Sequence, residues 1–137
     1  MKSNFKNQKL PAFSLMEILI ALAIIGIITM MAVINYQPVI SKTKSLEAQN
    51  QLAHLYNLEK SYFYVHSKYS KDPMEVGFEQ GKLVSEDGNA NYIIEIINAD
   101  HTGFLAKATA VVDFDGDGVF NVWEVDEQKN IKEVSPD

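Results

Sequence analysis

The hydropathy pattern is dominated by a nearly unbroken apolar run from Phe13 to Ile34. These twenty-two residues contain one charged side chain, that of Glu17. A helix of this length is roughly 33 Å long, and the hydrocarbon core of a bilayer is about 30 Å thick. The run therefore predicts a helix that spans a membrane, and we assign residues 13–37 to this segment.

A second helical pattern covers residues 38–66, which contain no glycine and no proline after Pro38. Apolar residues recur there at helical spacing, in two overlapping stripes. The stripes contain Leu52, Leu55, Leu58, Glu59, Tyr62, Val65, His66 and Tyr69. The pattern predicts an amphipathic helix that continues the membrane helix into an exported head, with Pro38 as a candidate kink. We interpret the aromatic run from Tyr62 to Tyr64 as core packing.

Beyond residue 66 the pattern changes twice. Residues 67–90 are rich in turn signals and predict a long connection, with one short strand around residues 82–84. From residue 91 onward the hydrophobic period changes to two, as in β-strands. The first of these strands is apolar on nearly both faces, whereas the second alternates between an apolar and a polar face. The predicted strands are Tyr92–Ile97, Phe104–Val112, Val119–Val125 and Ile131–Val134. The predicted fold class is therefore α+β, with a long N-terminal helix packed on a small antiparallel sheet in residues 91–137.

The single acid in the apolar run needs a physical reason, because a charge at the bilayer centre costs about 2.5–3.5 kcal/mol. Glu17 either reaches water and headgroups at the interface or faces a positive partner. The preceding residues 1–12 form a polar leader with three lysines and no acid. The positive-inside rule then predicts a cytoplasmic N-terminus and an exported head.

The basic leader ends in Leu10-Pro11-Ala12 and is followed by Phe13-Ser14-Leu15-Met16-Glu17. This arrangement resembles the class III leader of type IV pilins and of type II secretion pseudopilins. The resemblance implies that a prepilin peptidase cuts between Ala12 and Phe13, that Phe13 is then N-methylated, and that Glu17 pairs with the amino terminus of a neighbouring subunit. Two positions depart from the family pattern, since Ala12 replaces the usual Gly and Ile34 replaces a frequent Pro.

The same resemblance implies a structural subunit and not an enzyme. Its partners would be further copies in a helical filament, other pilins or pseudopilins, the prepilin peptidase and an assembly platform in the bacterial inner membrane. The filament would be periplasmic or on the cell surface. An alternative class is a single-pass, calcium-responsive binding module that does not polymerise. A hydrolase is disfavoured because the sequence offers no arrangement of nucleophile and base.

Charge and cysteine content exclude one class of partner and one kind of stabilisation. The chain has 12 basic and 18 acidic residues, a net charge of −6, and removal of the three leader lysines would change this charge to −9. This acidic balance predicts no nucleic-acid partner, because such binding depends on clustered Lys and Arg. The sequence has no cysteine, so no disulfide stabilises the head.

A second motif runs from Asp113 to Glu124 and matches the twelve-residue calcium-loop pattern at its defined positions. The candidate ligands are Asp113, Asp115, Asp117, Asn121 and Glu124. Oxygen ligands without His or Cys are typical of calcium. The alternative is a plain hairpin, in which Asp-Gly pairs form the turn and Glu124 lies on a regular strand facing away from the aspartates.

Overall fold

A computed structural model of the chain describes residues 13–34 and 37–136. The chain divides into two compact units, Met1–Tyr36 and Gln37–Asp137. The predicted leader, with Ala12, and the predicted continuity of the helix across residues 35 and 36 lie outside the described residues.

The first unit contains one described helix, α1, from Leu15 to Ile34. All of the side chains from Phe13 to Ala32 are exposed. Among the described helices, α1 alone is long and apolar enough to cross a membrane. Because so much apolar surface is unstable in water, this helix requires lipid or other protein around it.

The second unit begins with α2, a 30-residue helix from Gln37 to His66. Pro38 lies in its first turn, where the missing N–H removes no intrahelical hydrogen bond. The face that is buried against the sheet repeats every three or four residues. It contains Ser41, Ser45, Ala48, Leu52, Leu55 and Glu59. Small side chains in the first half of α2 allow the helix backbone to approach the sheet closely.

The predicted apolar stripe is wrong at the end of α2. Val65 is 78% exposed and Tyr64 is 81% exposed, whereas Tyr62 and Phe63 pack against the core. The helix ends at His66, and Ser67 has a positive φ of 56°. The chain turns there, so Tyr69 enters the core from the following segment and not from the helix.

The head sheet has four antiparallel strands in the order β1-β2-β3-β4. The strands are β1 (Tyr92–Ala99), β2 (Phe104–Ala110), β3 (Val122–Asp126) and β4 (Ile131–Ser135). Helix α2 packs on this sheet, which confirms the predicted α+β fold class. The strand predicted around residues 82–84 is reduced to a single bridge between Leu83 and Ala90, followed by a short 3₁₀ turn.

The core lies between α2 and one face of the sheet. On β1 the buried residues alternate as Tyr92, Ile94 and Ile96, and on β2 Phe104 is followed by three buried alanines. The alanines leave room for α2, whose Leu52 and Leu55 are fully buried. Sequence alternation therefore correctly predicts the covered face of β2. The sequence of β1 is apolar on nearly both faces, so its covered face is seen only in the structure.

Candidate functional site

The start of α1 is organised by two reciprocal hydrogen bonds between Ser14 and Glu17. The backbone N–H of Ser14 donates to Oε2 of Glu17 at 2.8 Å, and the backbone N–H of Glu17 donates to Oγ of Ser14 at 3.3 Å. This is a capping box, which satisfies two N–H groups that a helix start otherwise leaves without partners. Sequence reasoning missed the role of Ser14, although the Ser-x-x-Glu spacing signals it.

Glu17 is surrounded by apolar side chains. It lies in a shallow open recess of about 330 Å³ lined by Phe13, Ile18, Ala21 and Leu22. Phe13 is 82% exposed. A carboxylate with such neighbours gains little solvation from them, and it is therefore well placed to accept a positive group presented by another molecule.

The second candidate site is the loop before β3, where three aspartates lie together. One carboxylate oxygen from each aspartate lies within 4.8 Å of those from the other two. Gly116 and Gly118 have φ values of 82° and 89°, a conformation that side-chain-bearing residues rarely adopt. These two glycines allow the chain to fold back over the aspartates.

Backbone amides already compensate much of the negative charge in this loop. Asp113 accepts the N–H of Gly116 on Oδ1 at 2.6 Å and that of Gly118 on Oδ2 at 2.8 Å. Asp115 accepts the N–H of Asp117 at 3.1 Å, and Asp117 accepts that of Val119 at 2.7 Å. The bonds from Gly118 and then Gly116 hold the pKa of Asp113 below its ordinary value. Backbone amides therefore order the loop, and further carboxylate lone pairs are available for a cation.

The structure does not bring Asn121 to the aspartates. Asn121 is fully buried, accepts the hydroxyl of Tyr92 at 2.7 Å, and donates to Glu133 at 2.7 Å and to the carbonyl of Ser135 at 3.1 Å. It joins β1 to the end of β4. Its side chain is committed to the core, and the calcium pattern misassigned it because spacing along the chain does not show this partner set.

Glu124 also lies away from the loop. It is on β3, directly opposite Lys107 of β2, with carboxylate oxygens 3.6 Å from Nζ of Lys107 and 3.9 Å from Nζ of Lys132. Glu124 therefore lies on a regular strand and away from the aspartates, as the hairpin interpretation predicts. The residues that fit a hard cation are the three aspartates, and calcium binding there stays a prediction.

A third polar cluster joins α2 to the segment after it. Glu59 is fully buried, and its Oε2 accepts the N–H of Ser70 at 3.1 Å. Its Oε1 has no hydrogen-bond partner among the described residues. Burial raises the pKa of Glu59 from 4.5 to about 7, and the Ser70 hydrogen bond opposes this rise. The cluster continues from Oγ of Ser70 to Glu75 at 2.5 Å.

Comparison with known proteins identifies one similar protein. The chain is 36% identical over 72 residues to the "Type IV major pilin protein PilA" of Myxococcus xanthus. The match covers 53% of this chain and 33% of the relative, so this chain spans about a third of the length of that pilin. No protein-family model matches the chain. The match confirms the resemblance to type IV pilins that the N-terminal motif indicates.

Proposed function

We propose that this chain, similar to a type IV pilin, is a structural subunit of a helical filament, a type IV pilus or a type II secretion pseudopilus. The observation that carries the proposal is α1, an apolar helix with a single acid in its first turn, whose side chains are exposed from Leu15 to Ala32. A separate α+β head follows it along the chain. These are the two parts that a membrane-stored polymer subunit requires, and neither is an arrangement for catalysis.

The proposed assembly begins with cleavage between Ala12 and Phe13, which creates a new amine next to Glu17. In the filament this amine, methylated on Phe13, neutralises Glu17 of a neighbouring copy and fixes the register between the two helices. Close packing of α1 helices is supported by Ala23 and Gly26 within the apolar run, because small residues let helix backbones approach one another in lipid.

Before assembly the subunit is held in the bacterial inner membrane. The leader lysines keep the N-terminus in the cytoplasm, where the prepilin peptidase acts. The inner-membrane assembly platform then moves the subunit into a filament that is periplasmic or on the cell surface. Other pilins or pseudopilins are the further partners.

The test uses the full chain in a bacterial host that carries a pilus or pseudopilus assembly system. Mass spectrometry should find a mature N-terminus at a methylated Phe13. Cross-linking in cells should give a ladder of oligomers that Glu17→Gln abolishes and Glu79→Gln, a change at an exposed glutamate of the head, leaves intact. A chain that still begins at Met1, together with the absence of a ladder, would instead favour the anchored module that does not polymerise. A ladder that Glu17→Gln leaves intact would refute the assembly role of Glu17.

We also propose that the aspartate loop binds calcium through Asp113, Asp115 and Asp117. The supporting observation is that carboxylate oxygens of all three residues converge within 4.8 Å, a spacing at which their mutual repulsion is relieved by a cation. A bound ion would tie together the loop that leads into β3, in a head without disulfides.

A further inference from the structure

Strand β1 lies at one edge of the sheet, since it pairs only with β2 in the order β1-β2-β3-β4. In an antiparallel strand, alternate residues turn both N–H and C=O away from the paired neighbour. On β1 these residues are Tyr92, Ile94 and Ile96. The backbone carbonyl of Tyr92 and the backbone N–H of Ile94 form hydrogen bonds outside the sheet, and Ile96 follows at the same spacing. In an edge strand, groups that face away from the sheet are a template on which a strand of another molecule can add, unless another part of the protein covers them.

The side chain of Gln80 occupies this template. Its Nε2 donates to the carbonyl of Tyr92 at 3.0 Å, and its Oε1 accepts the N–H of Ile94 at 2.9 Å. One amide group therefore makes one hydrogen bond at each of these two residues, as one residue of a neighbouring strand would. Gln80 is held in place by the preceding Phe78, which is 3% exposed and belongs to the core.

Both ends of the same edge are also closed. At the start of β1, Glu47 of α2 accepts the backbone N–H of Asn91 at 2.7 Å. Just beyond its end, the carbonyl of Asp100 accepts the N–H of Tyr69 at 2.9 Å. Between Gln80 and that end, an irregularity between Ile96 and Asn98 shifts the register. Such bulges disfavour continued strand pairing.

We infer that the segment 67–90 covers the β1 edge of the sheet, and we call it the edge cover. Its Gln80 amide occupies backbone groups of β1 and so prevents another strand from pairing there. The irregular segment thereby has a defined task, which its sequence does not show. Among the described residues, strand addition to the sheet is then left to β4, which is short and carries Lys132 and Glu133. This inference concerns the head alone and does not depend on the proposed function.

The test exploits the absence of cysteine from the chain. The full chain in detergent carries Glu95→Cys, an exposed position on β1, and a short bifunctional maleimide reports β1-to-β1 association. The reporter is combined with Gln80→Ala, with the isosteric Gln80→Glu, which cannot donate to Tyr92, and with Gln128→Ala as the control at an exposed glutamine in a turn. Circular dichroism confirms the fold of each protein.

We expect several-fold more cross-linked dimer with Gln80→Ala and with Gln80→Glu than with the reporter alone or with Gln128→Ala. In Gln80→Ala, hydrogen exchange at the amide of Ile94 should accelerate about fivefold, the effect of one net hydrogen bond. Cross-linking that is unchanged in both Gln80 variants would overturn the inference. An equal increase in the Gln128→Ala control would overturn it as well, since the effect would then not arise at the β1 edge.

Discussion

Replacement of Glu59 by glutamine should change how the stability of the head depends on pH. The carboxyl group of Glu59 is fully buried, with its Oε1 unpartnered and its pKa raised from 4.5 to about 7. Between these two pH values the folded state retains a proton that the unfolded state has lost. Stability from this group is therefore fully present below pH 4.5 and declines as the pH rises through about 7.

The size of the effect follows from the shift of the pKa from 4.5 to about 7, which corresponds to about 3 kcal/mol at about 1.4 kcal/mol per unit. Glutamine keeps an oxygen that can accept the N–H of Ser70 and carries no charge at any pH. We therefore expect Glu59→Gln to be more stable than the parent by up to about 3 kcal/mol at pH 8 and equal within about 1 kcal/mol at pH 4.5.

Urea unfolding of the full chain in detergent, at a series of pH values, measures this difference. The fluorescence of Trp123, the single tryptophan and a half-buried residue of β3, reports the head. Glu79→Gln, at an exposed glutamate, is the matched control. Tyr62 and Glu75 face the same cluster, and their contributions cancel when the variant is compared with the parent. A stability difference that does not vary with pH would refute the reasoning.

Three further predictions concern the turns and the helix start. Calcium should raise the melting temperature of the full chain, and a chelator should reverse the rise. Asp117→Ala should abolish this response, whereas the control Glu124→Gln should keep it. Equal loss of the response in both variants would contradict the assignment of ligands. Gly88→Ala should destabilise the head by about 1–3 kcal/mol in urea unfolding, because an added Cβ would overlap the carbonyl oxygen of Lys82. The control Gly81→Ala should leave the stability unchanged, because a Cβ there makes only an ordinary van der Waals contact. Ser14→Ala should destabilise the first turn of α1 by about 1 kcal/mol, measured as faster hydrogen exchange at the amide of Glu17. Ser14→Thr should restore slow exchange, and unchanged exchange in Ser14→Ala would exclude the capping box.

Several elements of this chain could be predicted because their hydrophobic pattern is clear. The unbroken run gives α1, the spacing of Leu52 and Leu55 gives the buried face of α2, and alternation in residues 104–110 gives β2. The predicted start of the third strand differs from the observed start of β3. The predicted third strand starts at Val119, but β3 starts at Val122, because the preceding residues belong to the aspartate loop.

The parts that could not be predicted depend on contacts between residues far apart in sequence. Asn121 reads as a ligand in the loop motif, yet its partners Tyr92, Glu133 and Ser135 come from two other strands or their ends. Gln80 lies in a segment without any period, and its hydrogen-bond partners are 12 and 14 residues away. Local sequence describes neither relationship. Asn121 was therefore assigned to the candidate calcium site although its side chain lies elsewhere, and the edge cover was missed.

The geometry at the start of α1 also bears on how Glu17 can serve two tasks. The capping box engages Oε2 of Glu17 with the N–H of Ser14. A carboxylate has two oxygens and about four acceptor positions, so Oε1 can meet an ammonium group of another copy while Oε2 remains on the helix. Under the proposed function, the cap holds the acid in a fixed orientation before the partner arrives, which lowers the conformational entropy lost on pairing. Under that same proposal, the acid that caps the helix start through Oε2 is also the acid that sets the register in the filament through Oε1.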